Sequence, residues 1–344
     1  MKAIGLTRYL PIDDASALQD FDLPEPGQPQ GQDLLVQVQA VSVNPVDTKL
    51  RGPKAGEENP PRILGFDAAG TVVAIGPDVS AFEIGDEVYY AGDVTRPGCN
   101  AQLQLVDERL AGRKPTTLDF AEAAALPLTT LTAWELLFQR MPYQLDGRRN
   151  CGRTLLVIGG AGGVGSMAIQ LGRHAGFTVV ATASREESAQ WCRQMGAAHV
   201  INHHQPLAPQ LEALGISQVD AALNLANTDL YWQQLGELLA PQGHVGLIVE
   251  PAGELRIGDP YKAKCIGIHW EFMFARARFR TPDMIEQHRI LTRAASLIDA
   301  GELRTTLNQR LGGINAANLR TAHRLLESGG TIGKLALEGW DQAS

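Results

Sequence analysis

The feature that most constrains this chain is a seven-residue run, Gly159-Gly-Ala-Gly-Gly-Val-Gly165, in which five residues are glycine. A short apolar stretch, Leu155-Leu-Val-Ile158, leads into it, and Val164, Met167, Ala168 and Leu171 follow at helical spacing. The loop therefore joins a strand to a helix. Within it Gly160, Gly162 and Gly165 fit the pattern G-x-G-x-x-G. One glycine makes a tight turn, one lets the backbone approach a pyrophosphate, and one lets helix and strand pack closely. Amides at the helix start then face the phosphates with the helix dipole in their favour. The expected phosphate contacts are Gly160, Gly162, Gly163, Val164 and Gly165. A glycine-rich turn without a ligand is the competing reading.

The surrounding segments repeat the strand–helix rhythm. Thr178-Val-Val-Ala181 reads as the next strand, followed by a helix over roughly 186–195 that stops at Gly196. His199-Val-Ile201, Ala221-Ala-Leu223 and His244-Val-Gly-Leu-Ile248 supply further strands, so the stretch from about 128 to 265 is expected to build a parallel sheet. An NAD site places an acid after the second strand to accept from the ribose 2′-hydroxyl. Here that strand ends in Ser184-Arg185, a hydroxyl and a guanidinium that suit a 2′-phosphate, so NADPH is the expected cofactor. Glu186 and Glu187 read as first-turn acids of the helix. His199, His203 and His204 read as a chance cluster rather than a metal site.

Residues 1 to about 125 have another texture. Val36, Val38 and Ala40 alternate with Gln37 and Gln39, and further short runs end in Gly76-Pro77 and Gly85-Asp86, the pattern of an all-β barrel or sandwich. A final stretch, 266–344, carries helical patterns near 284–299 and 316–327 and closes with the strand-like Gly333-Lys-Leu-Ala-Leu337. Trp270, Phe272 and Phe274 alternate as one face of a strand. With a net charge of −8 and only the short basic cluster Arg276-Ala-Arg278-Phe-Arg280, no nucleic-acid or anionic-membrane footprint is expected. No segment nears the roughly 20 apolar residues of a membrane span, and Met1–Leu10 lacks the apolar run of a signal peptide. Cys99, Cys151, Cys192 and Cys265 are too scattered for a disulfide framework or a Cys-x-x-Cys zinc pattern, so a reduced cytoplasmic setting is expected.

Residues 70–88, Gly-Thr-Val-Val-Ala-Ile-Gly-Pro-Asp-Val-Ser-Ala-Phe-Glu-Ile-Gly-Asp-Glu-Val, resemble the GroES-like catalytic domain of the medium-chain dehydrogenases. Asn44-Pro-Val-Asp47, the run from Leu126-Pro127 to Leu131-Thr-Ala-Trp134 and the glycine loop resemble their quinone oxidoreductase branch. Tyr90-Ala-Gly-Asp93, Arg96-Pro-Gly98 and His269-Trp-Glu-Phe272 are similar to a bacterial subgroup called zinc-type alcohol dehydrogenase-like. The resemblance implies an α/β protein: a Rossmann doubly wound parallel sheet domain over 128–265, inserted into a GroES-like β-barrel catalytic domain formed by 1–127 and 266–344. It also implies a homodimer. Zinc-dependent relatives carry Cys where this chain has Asn44, and Gly-His-Glu where it has Gly65-Phe66-Asp67. Their proton-relaying hydroxyl falls at Val46, and their four-cysteine structural lobe is missing. No metal is therefore expected.

Without a Lewis acid, hydrogen-bond donors must steady the oxyanion or enolate that forms when a nicotinamide gives up hydride. That favours a small-molecule acceptor needing little activation: a quinone, or an alkene conjugated to a carbonyl. The catalytic candidates are Asn44, as donor or turn former, Asp47, as loop or ribose anchor, and Lys49, for an oxyanion. Thr130, with Thr132 nearby, and Lys334 on the returning strand are candidate cofactor contacts. By the resemblance, His203 stands where an aromatic ring meets the adenosine 2′-phosphate. Phe66, Tyr90, Trp270 and Phe272 are expected to line the acceptor pocket. Aldehyde or ketone reduction on the same scaffold, and a non-catalytic NADPH-binding protein, are the alternatives.

Overall fold

The computed structural model describes residues 1–340. Their contacts divide into two units: Met1–Leu131 together with the chain from Phe274 onward, and Thr132–Met273.

The first unit is built around one long strand. Asp33–Ser42 pairs antiparallel with Ala68–Ile75, Leu103–Asp107 and Lys334–Glu338. Leu34, Val36, Val38 and Ala40 are buried while Gln37 is exposed, so the alternation read from the sequence is the strand's inward and outward faces. Register shifts at Leu35/Val36 and Val38/Ala40 mark bulges, which bend a strand and increase its twist. Val72, Val88, Val106, Leu335 and Leu337 join Val36 and Val38 in one core cluster. The returning strand thus ties the chain's last hundred residues to its first hundred.

The second unit holds a six-stranded parallel sheet. Its spatial order is His199–Ile201, Thr178–Thr182, Thr154–Ile158, Val219–Asn224, Leu239–Leu247, Gly267–Trp270. Numbered along the unit, that is 3-2-1-4-5-6, the doubly wound order whose direction reverses beside the first strand. The core under it includes Leu156, Ile158, Val180, Ala222, Leu235 and Val245. Trp232 and Tyr261 stack at 4.2 Å, and the Tyr261 hydroxyl donates to Trp232 O at 2.6 Å. The helix Glu186–Met195 starts on its two acids and stops at Gly196, as expected. No helix among the described residues is long and apolar enough to cross a membrane.

One sequence expectation differs from the structure. The strand expected to carry Trp270, Phe272 and Phe274 on one face ends at Trp270, and Phe274 is a buried helical cap before Ala275–Phe279. The aromatic spacing imitates a period of two, but the chain has already left the sheet. The short basic cluster contains a local ion-pair site. Arg276 is buried and ion-paired to Asp283 at 3.0 Å.

The helix Ala316–Glu327 packs against the helix Pro45–Arg51 and buries His323 completely. Neither ring nitrogen of His323 has a hydrogen-bond partner among the described residues, and burial, with Arg51 nearby, holds its pKa down to about 3. An unfolded histidine titrates near 6.5. Between those values the unfolded chain binds a proton that the folded one refuses, so stability is lost as the pH falls through this window. His323→Leu is expected to flatten that acid limb in urea titrations run between pH 4 and 7, with little change above pH 7.

Candidate active site

Three residues far apart in sequence meet in the first unit. Asn44 caps the helix Pro45–Arg51, Asp67 leads into the strand Ala68–Ile75, and Lys334 opens the strand Lys334–Glu338. All three are buried, with Asp67 and Asn44 at 1% exposure or less. The Lys334 ammonium donates to Val43 O at 2.8 Å, Asn44 Oδ1 at 2.5 Å and Asp67 Oδ2 at 2.7 Å. The Asn44 amide donates to Asp67 Oδ2 at 2.8 Å, and Leu128 N–H donates to Asp67 Oδ1 at 2.7 Å. An ammonium has three hydrogens and no lone pair, so Lys334 is saturated. Asn44 is likewise occupied, its oxygen by Lys334 and its amide hydrogens by Asp67 and, at 3.5 Å, Phe66 O. The sequence reading offered Lys334 to the cofactor and Asn44 to the acceptor. In the structure both are spent holding each other and Asp67.

Asp47 sits beside this trio and differs from it. Its Oδ2 accepts Asn44 N–H at 2.7 Å, while Oδ1 has no partner among the described residues. Burial raises its pKa to about 7, against the pull of the Asn44 amide and Lys334. Asp67 is also pushed up by burial, and Lys334 and the surrounding donors draw it back. Both its oxygens face donors only, which is the environment of a carboxylate. Cys99, whose thiol donates to Asp67 O at 3.3 Å, is raised by burial and is no thiolate.

These are the positions the resemblance assigns to metal ligands, and their chemistry does not fit zinc. Zinc takes thiolate, imidazole and carboxylate donors. Here stand an amide, the ring of Phe66 and a carboxylate already bonded to a fixed cation. Among the described residues no three His, Cys, Asp or Glu side chains are grouped to hold a metal.

The other candidates fall in two places. Phe66 and Tyr90 are buried in the first unit, Phe66 edge-on to Phe274 at 5.2 Å, and the Tyr90 hydroxyl has no partner among the described residues. Thr130, fully buried on the helix Pro127–Glu135, also has an unpartnered hydroxyl there. Lys49 is exposed in the last turn of its helix. Trp270 and Phe272 belong to the second unit, at 47% and 45% exposure.

The glycine loop in the second unit has the shape its motif requires. Gly162 caps the helix Gly163–His174. A Cβ on Gly165 would lie 2.2 Å from Gly159 O, so no side chain fits where helix and strand close up. A Cβ on Gly162 would meet nothing nearer than Gly159 O at 3.5 Å, and the Gly162 N–H donates to that same oxygen at 3.2 Å, closing the turn. The left-handed turn itself falls on Gly159, at φ +82°, one residue before the motif. Thr182 pairs with Ile201 across adjacent parallel strands, so Ser184-Arg185 and Asn202-His203 leave the same end of the sheet. His203 stacks edgewise on His204 at 4.6 Å, and burial lowers its pKa. The loop, and the end of the sheet that carries Ser184, Arg185 and His203, are the features of this unit that could hold a dinucleotide.

The sequence reading named Asp67 only for standing where relatives place a metal-binding segment, and gave it no role. Its signal was an acid inside the apolar run Ile63 to Ala69, matched by a lysine inside the apolar strand Lys334–Glu338. Opposite charges embedded in two buried segments must find each other. Removing one partner strands the other, at a cost of about 3–5 kcal/mol. Lys334→Met is therefore expected to destabilise the first unit by that order in urea denaturation. Lys334→Met combined with Asp67→Asn, which keeps an acceptor for Leu128 N–H, is expected to recover most of the loss.

Comparison with known proteins agrees with this architecture. Residues 30–127 match the alcohol dehydrogenase GroES-like domain, and residues 195–337 match the zinc-binding dehydrogenase family. A zinc-type alcohol dehydrogenase-like protein of Staphylococcus aureus is 42% identical over 98% of this chain and 99% of its own length. A crystal structure from Rhizobium etli, provisionally assigned as a zinc-dependent alcohol dehydrogenase, superposes with a TM-score of 0.92 at 48% identity, covering 99% of both chains. An NADPH-dependent alkenal/one oxidoreductase of Arabidopsis thaliana is 35% identical across 59% of this chain and 52% of its own. The chain is an oxidoreductase of the medium-chain dehydrogenase/reductase superfamily and belongs with its zinc-type alcohol dehydrogenase-like proteins.

Proposed function

We propose that this chain reduces a quinone or an α,β-unsaturated carbonyl with hydride from NADPH, without catalytic zinc. The observation that carries the reading is the Lys334 ammonium bonded to Asn44 and Asp67, where zinc-dependent relatives hold their ligands. A saturated, charge-paired ammonium cannot polarise a carbonyl as a metal does. An acceptor that already carries a conjugated electrophilic carbon needs no such polarisation. The Arabidopsis relative's activity on alkenals and enones supports this choice.

Bound NADPH supplies the hydride. The chain's own residues do the rest. The glycine loop fixes the pyrophosphate by backbone amides, and Ser184 and Arg185 meet the 2′-phosphate. Lys49, exposed at the end of its helix, is the cation placed to meet an oxyanion. Thr130, whose buried hydroxyl has no hydrogen-bond partner among the described residues, is the candidate for the nicotinamide. Phe66 and Tyr90 are the first unit's candidates for the acceptor, and Trp270 and Phe272 those of the second. The reading includes a cytoplasmic setting, in keeping with four unpaired cysteines, and a homodimer. The edge strand Gly267–Trp270, with Trp270 at 47% exposure, is the surface that suits such pairing.

Loss of NADPH absorbance with a panel of quinones, conjugated enones and simple aldehydes tests the proposal, run with and without a zinc chelator and with NADH in parallel. Turnover of quinones or enones that prefers NADPH and ignores the chelator is expected. Aldehyde turnover abolished by the chelator would overturn the metal-free reading, and no turnover with any acceptor would favour a cofactor-binding protein. Hydrogen bonds to a charged partner contribute about 1.5–3 kcal/mol. Arg185→Glu is accordingly expected to raise the KM for NADPH by roughly tenfold or more while leaving that for NADH nearly unchanged.

A further inference from the structure

Hydride addition leaves an enolate that must take up a proton, and nothing so far supplies one. The buried cluster contains two carboxyls, Asp47 and Asp67, and one ammonium, Lys334. Lys334 can balance only one of the two. The bonding decides which. Asp67 is ringed by donors from Lys334, Asn44 and Leu128. Asp47 accepts a hydrogen bond from Asn44 N–H at Oδ2, and its Oδ1 has no hydrogen-bond partner among the described residues, with only the backbone amide of Gly65 near enough to favour its charge. A buried carboxylate with an unmet oxygen is costly, and a carboxylic acid is not.

We propose that Asp47 rests as the neutral acid and is the internal proton store of this site. The inference rests on the NADPH-dependent reduction proposed above. Hydride forms a C–H bond at the electrophilic carbon of an enone, and the C=C electron pair moves toward the carbonyl oxygen. The O–H bond of Asp47 then breaks, and its proton forms the second C–H bond at the α-carbon. The carboxylate left behind is held by the Asn44 N–H and by the nearby charge of Lys334 until water returns a proton. The ion pair Lys334–Asp67 is what makes this possible: by claiming the ammonium for Asp67, it leaves Asp47 without a counterion.

The charged and titratable groups facing Asp47 are few. Lys334 and Asp67 act on it from the returning strand and from the approach to Ala68–Ile75. Cys99 lies within its field as a neutral thiol. On the packed helix Ala316–Glu327, Glu327 is ion-paired with Arg51, and His323 lies buried within the field of that same arginine.

Infrared titration of the protein, with aspartate carboxyls carbon-13 labelled, tests the store directly. The label separates Asp47 from Glu271, a second buried carboxyl that burial and Glu135 raise to about 8. A neutral aspartic acid band is expected below neutrality, fading with a midpoint near 7 and missing in Asp47→Asn. Enone turnover by the wild type is expected to fall about tenfold per pH unit above the same midpoint. Asp47→Asn should show a low, flat kcat profile with an unchanged KM for NADPH. No aspartic acid band, a band that survives Asp47→Asn, or a variant that keeps the wild-type alkaline limb would overturn the proposal. Should Asp47→Asn fail to fold, the wild-type band and rate midpoints must still coincide, and their disagreement sinks it. Absence of any wild-type turnover would refute the reductase reading instead, with the infrared band still deciding the resting state of Asp47.

Discussion

A lysine and an aspartate withdrawn from water must neutralise each other, because neither tolerates burial as a lone charge. Lys334 and Asp67 do so at 2.7 Å, and the geometry of the first unit follows from that pairing. The ammonium's remaining hydrogens go to Val43 O and Asn44 Oδ1, which fixes the residue that caps the helix Pro45–Arg51. The cap's backbone N–H then reaches Asp47 on the same helix. One ion pair therefore holds the residue that caps a helix and, through its backbone N–H, a donor to that helix's first acid. Such a pair is poor evidence for stability in itself, since apolar residues of similar size often do as well. Its value here is that it leaves no freedom in how the four side chains are arranged.

The second unit solves a different problem. Its glycine loop must bring backbone amides to an anion, and the way to do so is to remove the side chains that would stand between. Gly165 has no room for a Cβ, which would lie 2.2 Å from Gly159 O, so this glycine is required by packing. The first unit positions buried side chains and the second clears them away.

Much of this was legible in the sequence because it is local. The strand–loop–helix around Gly159–Gly165 and the alternation in Val36–Ala40 are written within about ten residues, and the parallel sheet of the second unit follows from its strand–helix rhythm. Asn44 and Asp47 could be singled out, but not their bonding, because Lys334 lies 290 positions from Asn44. Nothing at residue 44 announces that its amide is already taken. Asp67 was noticed for the metal ligand it is not, rather than for the three donors it gathers. The aromatic run from Trp270 to Phe274 misled for the opposite reason: a local pattern was present, but the chain's exit from the sheet overruled it.

The return of the strand Lys334–Glu338 to the first unit also has a consequence for how the molecule comes into being. The residues Thr132–Met273 form a contiguous unit and leave the ribosome whole, whereas the first unit waits for its last strand. Asp67 and Lys334 are separated by 267 positions, which at about 5–20 residues per second is a delay of roughly 13–50 s during synthesis. Throughout that interval the acid has no counterion and residues 40–42 of the long strand lack their partner. The cluster therefore closes only once residue 334 has been made, and a polypeptide interrupted upstream of it leaves Asp67 without its counterion.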